Sequence, residues 1–580
     1  MLNKFDQLTP QPMLKPWRAM LLFGFLVLGL TGLIVRAAFL QGVNNDFLQK
    51  EGAARYSKIV KMSGDRGMIQ DRNGEILAIS APVASVYADP LMVENVSSFQ
   101  LEQLARLLDM DKSEIEKRIY RKSSRFVYLK RWIVPEIADR IADLKIKGIG
   151  FETEFKRYYP EGEIAAHVVG FTDIEDQGQE GVEHGWDAML SGEIGSRRVL
   201  KDNKGRIIGD VENIRSPKQG QDIVLSLDRR VQHIAHQALK QAVFDHRAAA
   251  GSIVVLDAQS GEILALSNFP AYNPNATVTN AMVANRFLVN RALVDTFEPG
   301  STLKPFPIAV AIETGLVNPG TVVQTAPGTF RVGRSTIRDV SNKGELTVAE
   351  VLQVSSNVGT VKIALSMPAQ TLWEIYNNVG FGQLAGTGFP GEASGVLRPY
   401  NTWRTIEQAT MAFGHGISVS LLQIARAYTI FTTGGELKPV SILKQDFPVM
   451  GQRVISQKTA QSVSQMLEMA TLPNGTAPLA QVDGYRVAGK TGTAHKLIDG
   501  KYAKKNYISS FVGFAPVSNP RLIVAVMLDD PSAGKYFGGA VAAPVFSHVM
   551  TAALRLLNVP HDVPSTELNA APAILATGGI

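Results

Sequence analysis

A chain of 580 residues that is 45% hydrophobic and 19% charged has the material for two or three globular domains and is not a disordered polymer. Its net charge of +6 is small for that length, and no dense Lys/Arg block with interleaved aromatics occurs, which argues against nucleic acid as a partner. Zero cysteines exclude disulfides, thiol catalysis and cysteine-held metal centres, and the nine histidines show no ligand spacing such as His-Glu-x-x-His.

In chain order, residues 1–18 form a polar tail with Lys4, Lys15 and Arg18. Ala19 to Val35 is an uninterrupted apolar or near-neutral run, which residues 37–40 extend if Arg36 snorkels to an interface. At about 1.5 Å per residue, 19–40 matches a ~30 Å bilayer core, so a transmembrane anchor is expected. The run exceeds the ~7 to 15 residues of a cleaved signal peptide, which disfavours cleavage at Val35-Arg36-Ala37. Lys and Arg flank both sides, so orientation rests on the tendency of an uncleaved, signal-like first helix to keep its short tail inside and export the rest.

Residues 41–215 mix short β-like runs with turns. Asn73-Gly74 between apolar flanks reads as a hairpin, helical periodicity appears near Gln100 to Leu108 and Pro135 to Leu144, and Lys201 to Arg206 is a polar turn. With no nucleophile, base and carboxylate set, this stretch reads as a non-catalytic spacer. A second domain spans 216–560, and 561–580 is a tail. Ile223 to Asp228 leads into a helix reaching about Val243. Strands at Ser252 to Leu256 and Glu262 to Ser267, and again at Ile508 to Ala515 and Leu522 to Leu528, bracket a helical middle, and an apolar helix follows from about Ala542 to Leu557. The expected fold is α/β of the α+β kind: an antiparallel sheet made from both ends of the domain, with the helical middle on one side.

Within that middle, Glu298-Pro299-Gly300-Ser301-Thr302-Leu303-Lys304 puts a hydroxyl and an amine three residues apart at a helix start, where one turn brings them to the same face. A serine becomes a nucleophile when a neighbouring base takes its proton, and a lysine is that base when burial or a nearby cation lowers its pKa. Pro307 is expected to deprive the Leu303 carbonyl of its helical donor and to distort the chain just beyond Lys304. Ser441 with Lys444 and Ser532 with Lys535 repeat the spacing, but only the first pair is followed by Ser355-Ser356-Asn357 and then Lys490-Thr491-Gly492-Thr493. Thr347-Val348-Ala349-Glu350 is a capping box opening the helix that runs up to Ser355.

The trio Ser-x-x-Lys, Ser-x-Asn, Lys-Thr-Gly is the signature of penicillin-binding proteins and class A β-lactamases. Nearly the whole chain resembles the class B penicillin-binding proteins, and within them the cell-division transpeptidases. The likeness extends through Arg66-Gly67 to Leu77-Ala78, Arg157-Tyr158-Tyr159-Pro160, Ala166-His167-Val168-Val169-Gly170, Phe297 to Ser301 and Gly414-His415-Gly416-Ile417-Ser418-Val419. Pro307, and His495 where arginine is common, depart from the pattern. The resemblance implies one N-terminal inner-membrane helix, an elongated, mostly β, dimerisation-like pedestal and a periplasmic transpeptidase domain needing no cofactor. It implies as partners peptidoglycan stem peptides, β-lactams, a polytopic lipid II polymerase and other division proteins. It also implies roles: Ser301 as nucleophile and Lys304 as its base. Ser355 relays a proton, Asn357 holds both the substrate amide and Lys304, and Lys490 lowers the Lys304 pKa. Lys490, Thr491, Gly492 and Thr493 form the substrate-binding strand, and the Ser301 and Thr493 backbone N–H groups hold the oxyanion.

Three other classes bear comparison. Gly484 to Thr491 satisfies the P-loop pattern, with Asp529 and Asp530 after an apolar strand, but the residues after Lys490-Thr491 lack the helical period a phosphate cradle requires. A penicillin-sensing receptor or scaffold would be expected to carry a further cytoplasmic module. A β-lactamase needs a base that activates water; the best candidate, Glu374 with Asn377, reads as the outer edge of a packed helix.

Overall fold

The computed structural model describes residues 15–43, 45, 57–62, 64–121, 124, 126–193, 195–201, 207–216, 218–447, 449–498 and 500–563. Most of both expected tails, and the turn at 202–206, lie outside the described residues.

One compact unit comprises residues 1–64 and 193–218. Its helix Pro16–Ala38 starts with proline at a position that needs no N–H donor. The span Pro16–Gly42 has a mean hydropathy of 2.1 and none of its surface buried. Twenty-three helical residues reach about 35 Å, enough to cross a bilayer. Strands Ser57–Met62, Gly195–Lys201 and Ile207–Arg215 form an antiparallel sheet in that order.

The other unit, 65–192 with 219–580, opens with a sheet built around the long strand Ile76–Ala88, which pairs with Ile69–Gln70, Val127–Ile133 and Ile149–Tyr158. The Asn73-Gly74 hairpin is present. Asp71 Oδ1 accepts from the Asn73 and Glu75 N–H groups at 2.8 and 2.9 Å, and Gly74 has φ +86°. Helices Ser98–Leu108, opened by a Ser97/Gln100 capping box, and Pro135–Ala142 fall where periodicity predicts them. Two segments that are far apart in sequence converge on one buried carboxylate: Arg66 and Arg157 each donate through Nε to Glu183 at 2.6 Å. Arg66 also bonds Asp187 Oδ1 at 2.7 Å and Ser191 Oγ at 2.8 Å.

The later sheet has five antiparallel strands. They are β1 (Ala250–Asp257), β2 (Ile263–Phe269), β3 (Ala488–Ile498), β4 (Lys501–Ala515) and β5 (Leu522–Asp529), in the order β2-β1-β5-β4-β3. Two strands from the start of the domain thus lie beside three from its end in one sheet, as expected, and β1 pairs with β5 from Ala250↔Asp529 to Asp257↔Leu522. Both faces are covered, which is why β1, β2 and β5 read as continuous apolar runs and not as alternation. Ile253, Val255, Val524 and Val526 pack under the terminal helices α1 (Arg229–Asp245) and α2 (Ala543–Leu556). Val254, Leu256, Ile523 and Ala525 face the helical middle.

Glu183→Ala leaves two buried guanidinium groups without their shared partner and is expected to cost about 3–5 kcal/mol. The measurement is the midpoint of chemical unfolding of the full chain in detergent, and Glu183→Gln, which keeps one acceptor, should cost less.

Candidate active site

The Ser301 segment is a 3-10 turn, Gly300–Leu303, followed by helix Pro305–Glu313. The distortion expected beyond Lys304 therefore lies before it. With the helix starting at Pro305, Pro307 still falls in the first turn, where backbone N–H groups have no intrahelical partner to lose. The turn is pinned from several sides. Lys304 N–H donates to Ser301 O at 3.3 Å and Thr302 Oγ1 to Pro299 O at 2.8 Å. The wholly buried Tyr428 donates its hydroxyl to Thr302 O at 2.8 Å. Gly300 has φ +56°, in the region where a side chain is strained.

Beneath the turn Lys304 is wholly buried, as is Lys490 on β3. The two point at one residue. Lys304 Nζ donates to Ser355 O at 2.5 Å and to Ser355 Oγ at 3.0 Å, while Lys490 Nζ donates to the same Oγ at 2.8 Å. No hydrogen bond joins Lys304 Nζ to Ser301 Oγ among the described residues. Burial, opposed in part by Asp339, pushes Lys304 down to about 7. Burial, reinforced by the charge of Lys304, pushes Lys490 well below its ordinary value. The expectation that Lys490 lowers the Lys304 pKa is corrected here: burial is what lowers Lys304, and the neighbouring charge adds to the shift of Lys490 instead.

Ser355 sits between helices Val348–Gln353, opened by the expected Thr347/Glu350 capping box, and Asn357–Leu365. Its φ of +61° is uncommon for a residue with a side chain and costs of order 1 kcal/mol. It is sustained by the next residues: Ser356 caps the second helix, donates to Asp339 Oδ2 at 2.6 Å and accepts from Gly359 N–H at 2.9 Å. Asp339 Oδ1 accepts from the N–H groups of Asn357 at 2.5 Å and Val358 at 3.0 Å. Asn357 does not hold Lys304. Its Nδ2 donates to Arg338 O at 2.8 Å, because Lys304 is already turned to the Ser355 carbonyl.

On β3, an edge strand, alternation sends Thr491 and Thr493 into a cleft of about 620 Å3 that Ser301, Ser355 and Asn357 also line. Gly492 faces the Ser301 turn: a Cβ there would lie 2.9 Å from Pro299 O and from Thr302 Cγ2, so the strand approaches the turn this closely only with glycine. Thr491 Oγ1 donates to Thr476 Oγ1 at 3.2 Å, and Thr493 Oγ1 accepts from Gly538 N–H at 3.1 Å. Because Lys490-Thr491 lies inside a strand, the P-loop arrangement is absent. The other two Ser-x-x-Lys matches are engaged elsewhere: Ser441 Oγ with Leu443 O, Lys444 with Arg72 O, and Ser532 Oγ with Arg247 O.

This geometry can be set beside known proteins. A family model described as the penicillin binding protein transpeptidase domain matches residues 251–551, and a penicillin-binding protein dimerisation domain matches 61–225. Over 569 residues the chain is 42% identical to the probable peptidoglycan D,D-transpeptidase PenA of Neisseria meningitidis, covering 98% of this chain and 97% of that one. The chain belongs to the class B penicillin-binding proteins. It is also 41% identical to the peptidoglycan D,D-transpeptidase FtsI of Escherichia coli, covering 95% of this chain and 93% of that one. The solved transpeptidase domain of Burkholderia pseudomallei penicillin-binding protein 3 is 46% identical with a TM-score of 0.54, covering 59% of this chain and 98% of its own. A peptidoglycan synthetase from Bifidobacterium adolescentis is 27% identical with a TM-score of 0.70, over 88% and 98%.

Some residues that shape this penicillin-binding protein's site carry no readable signal in the sequence. Asp339 belongs to no motif, and Tyr428 reads as an ordinary core aromatic. Gly414, whose carbonyl accepts from Gly300 N–H at 3.2 Å, stands inside the resemblance, yet its packing on the Ser301 turn is visible only in three dimensions.

The buried amine makes a testable contribution to stability. With Lys304 near 7 in the folded protein and 10.5 in its absence of structure, the unfolded chain binds more protons between those values, so this group makes stability rise with pH there. Lys304→Met removes that dependence. Relative to the variant, the wild type should gain up to about 1.4 kcal/mol per pH unit on going from pH 7 to 10, read from denaturant unfolding at each pH.

Proposed function

We propose that this protein is a serine-type peptidoglycan D,D-transpeptidase of the septal wall, acting through a Ser301 acyl-enzyme and blocked covalently by β-lactams. The observation that carries the reading is the convergence of two buried lysines on Ser355 beside the Ser301 turn, at the floor of one cleft. The acyl donor is the D-alanyl-D-alanine end of a stem peptide. Neutral Lys304 takes the Ser301 proton as Oγ attacks the penultimate carbonyl. The backbone N–H groups of Ser301 and Thr493 stabilise the oxyanion. Ser355, bonded to both amines, passes the proton to the leaving D-alanine, whose carboxylate is held by Lys490, Thr491 and Thr493 across the opening that Gly492 permits. Asn357 lines the cleft within reach of the donor's amide. An amine of a second stem peptide then takes the acyl group.

The division of the chain into a tail (1–18), an anchor (19–40), a pedestal (41–215), a transpeptidase domain (216–560) and a second tail (561–580) suits that task. So does a cytoplasmic N-terminus with the catalytic domain in the periplasm, near a polytopic lipid II polymerase and other division proteins. The β-lactamase alternative is disfavoured by Glu374, which is exposed on helix Ala369–Asn378 and accepts from Gln370 Nε2 at 2.8 Å. It does not line the cleft, so acyl-enzyme should persist.

Labelling with a fluorescent penicillin tests the assignment. Ser301→Ala should abolish labelling, while Ser441→Ala and Ser532→Ala keep it; a labelled Ser301→Ala protein would overturn it. Because Lys304 acts unprotonated with a pKa of about 7, the acylation rate should fall about tenfold per unit as pH drops below that value. A rate flat to pH 5 would remove Lys304 as the base.

A further inference from the structure

One acidic group beside the Ser301 turn has no part in the steps above. Glu298 stands three residues before Ser301, and its Oε1 accepts from Gly416 N–H at 2.7 Å and from the Tyr502 hydroxyl at 3.0 Å. Its Oε2 is buried and has no hydrogen-bond partner among the described residues. His415 Nδ1 stands 3.9 Å from this carboxylate oxygen, about one ångström beyond hydrogen-bond length. His415 lines the same cleft as Ser301, and its ring lies against Phe413 at 5.1 Å and Tyr502 at 5.9 Å. Neither ring nitrogen has a hydrogen bond to protein among the described residues. The loop that carries it is fixed to the turn: Gly300 N–H donates to Gly414 O at 3.2 Å, and a Cβ on Gly414 would overlap the Gly300 backbone.

We propose that His415 is the base that takes a proton from the acceptor amine in the second half-reaction, with Glu298 as the positioning residue that orients it and stabilises its imidazolium. The proposal rests on the transpeptidase reading and deepens it, because acylation already has its base in Lys304 and leaves the incoming amine without one. An aliphatic amine has a pKa near 10 and arrives as an ammonium ion at neutral pH, so it must lose a proton before its nitrogen can attack.

His415 takes that proton and later releases it to solvent. The freed lone pair attacks the ester carbonyl on Ser301 and the C–N bond forms. The C–O bond to Ser301 then breaks as a second proton passes from the nitrogen by way of Lys304 to the serine oxygen. The products are the amide, the free serine and one proton in solution. The surroundings suit the role. Burial, with the charges of His495 and Lys304, holds His415 below its ordinary value against the opposing pull of Glu298. It is therefore neutral and able to accept at pH 7. Tyr502, the remaining titratable group against it, is pushed up to about 12 and stays a donor. On protonation, an Nδ1–H can close the remaining gap to the unpartnered Oε2 and gain a charge-assisted bond.

The test uses the full-length protein, a thioester analogue of acyl-D-alanine as donor and a free D-amino acid as acceptor, and reads the ratio of aminolysis to hydrolysis products. His415→Gln should lower that ratio at least tenfold at pH 7.5. The wild-type ratio divided by the variant's cancels the acceptor's own ionisation, and it should fall toward one as the pH is lowered and His415 protonates. Glu298→Gln, which can still accept from Gly416 and Tyr502, should lower the ratio several-fold and move that acid limb to lower pH, a shift that lost packing alone does not produce. A ratio within twofold of wild type for His415→Gln overturns the proposal, as does an unmoved limb for Glu298→Gln. If the wild type forms no acyl-enzyme, the transpeptidase reading itself falls and this proposal with it; acyl-enzyme formation with an unchanged ratio condemns the histidine alone.

Discussion

Two amines driven out of water against a single hydroxyl set the terms for the rest of the molecule. Lys304 and Lys490 are wholly buried and share Ser355 Oγ. A buried ammonium is costly unless it is paired or gives up its proton. The fold supplies only partial compensation, through the Ser355 carbonyl and the nearby Asp339 carboxylate. The outcome is an amine poised near neutrality, which is the protonation state that an unassisted serine requires of its neighbour. The stability forgone here is recovered in the apolar layers on either side of the sheet.

Keeping such a pair in register demands close backbone approach more than it demands further polar bonds. Gly492 lets β3 lie against the Ser301 turn, Gly414 lets the next loop do so from another side, and Gly300 takes the left-handed conformation between them. The strained φ of Ser355 belongs to the same solution. It aims one hydroxyl at both amines, and the Ser356 cap and Asp339 hold the backbone where a relaxed helix end would turn it away.

Much of this is legible in the sequence. The apolar runs at 252–256, 263–267, 508–515 and 522–528 gave their strands because residues buried on both faces leave no polar alternation to confuse the reading. The order of the three motifs singled out Ser301 from Ser441 and Ser532. What could not be read were relations between distant segments. The turn at Ser301 became a 3-10 turn ahead of a proline-led helix, since Pro305 and Pro307 fit a first helical turn better than a second. The resemblance implied Asn357 as a partner for Lys304, yet its amide is spent on Arg338 in a neighbouring hairpin. Asp339, which anchors that whole corner, has no neighbour in sequence that would mark it.

The pairing of β1 with β5 carries a consequence for how the site comes into being. Residues near 250 meet residues near 529, so the central ladder closes a loop of more than two hundred residues, an arrangement of high contact order that folds slowly. The nucleophile turn and the Ser355 corner leave the ribosome long before Lys490, and β3 has no place in the sheet until β4 and β5 follow it. A nascent or truncated chain therefore holds Ser301 without the second amine. The two amines can share Ser355 only when the last strands dock.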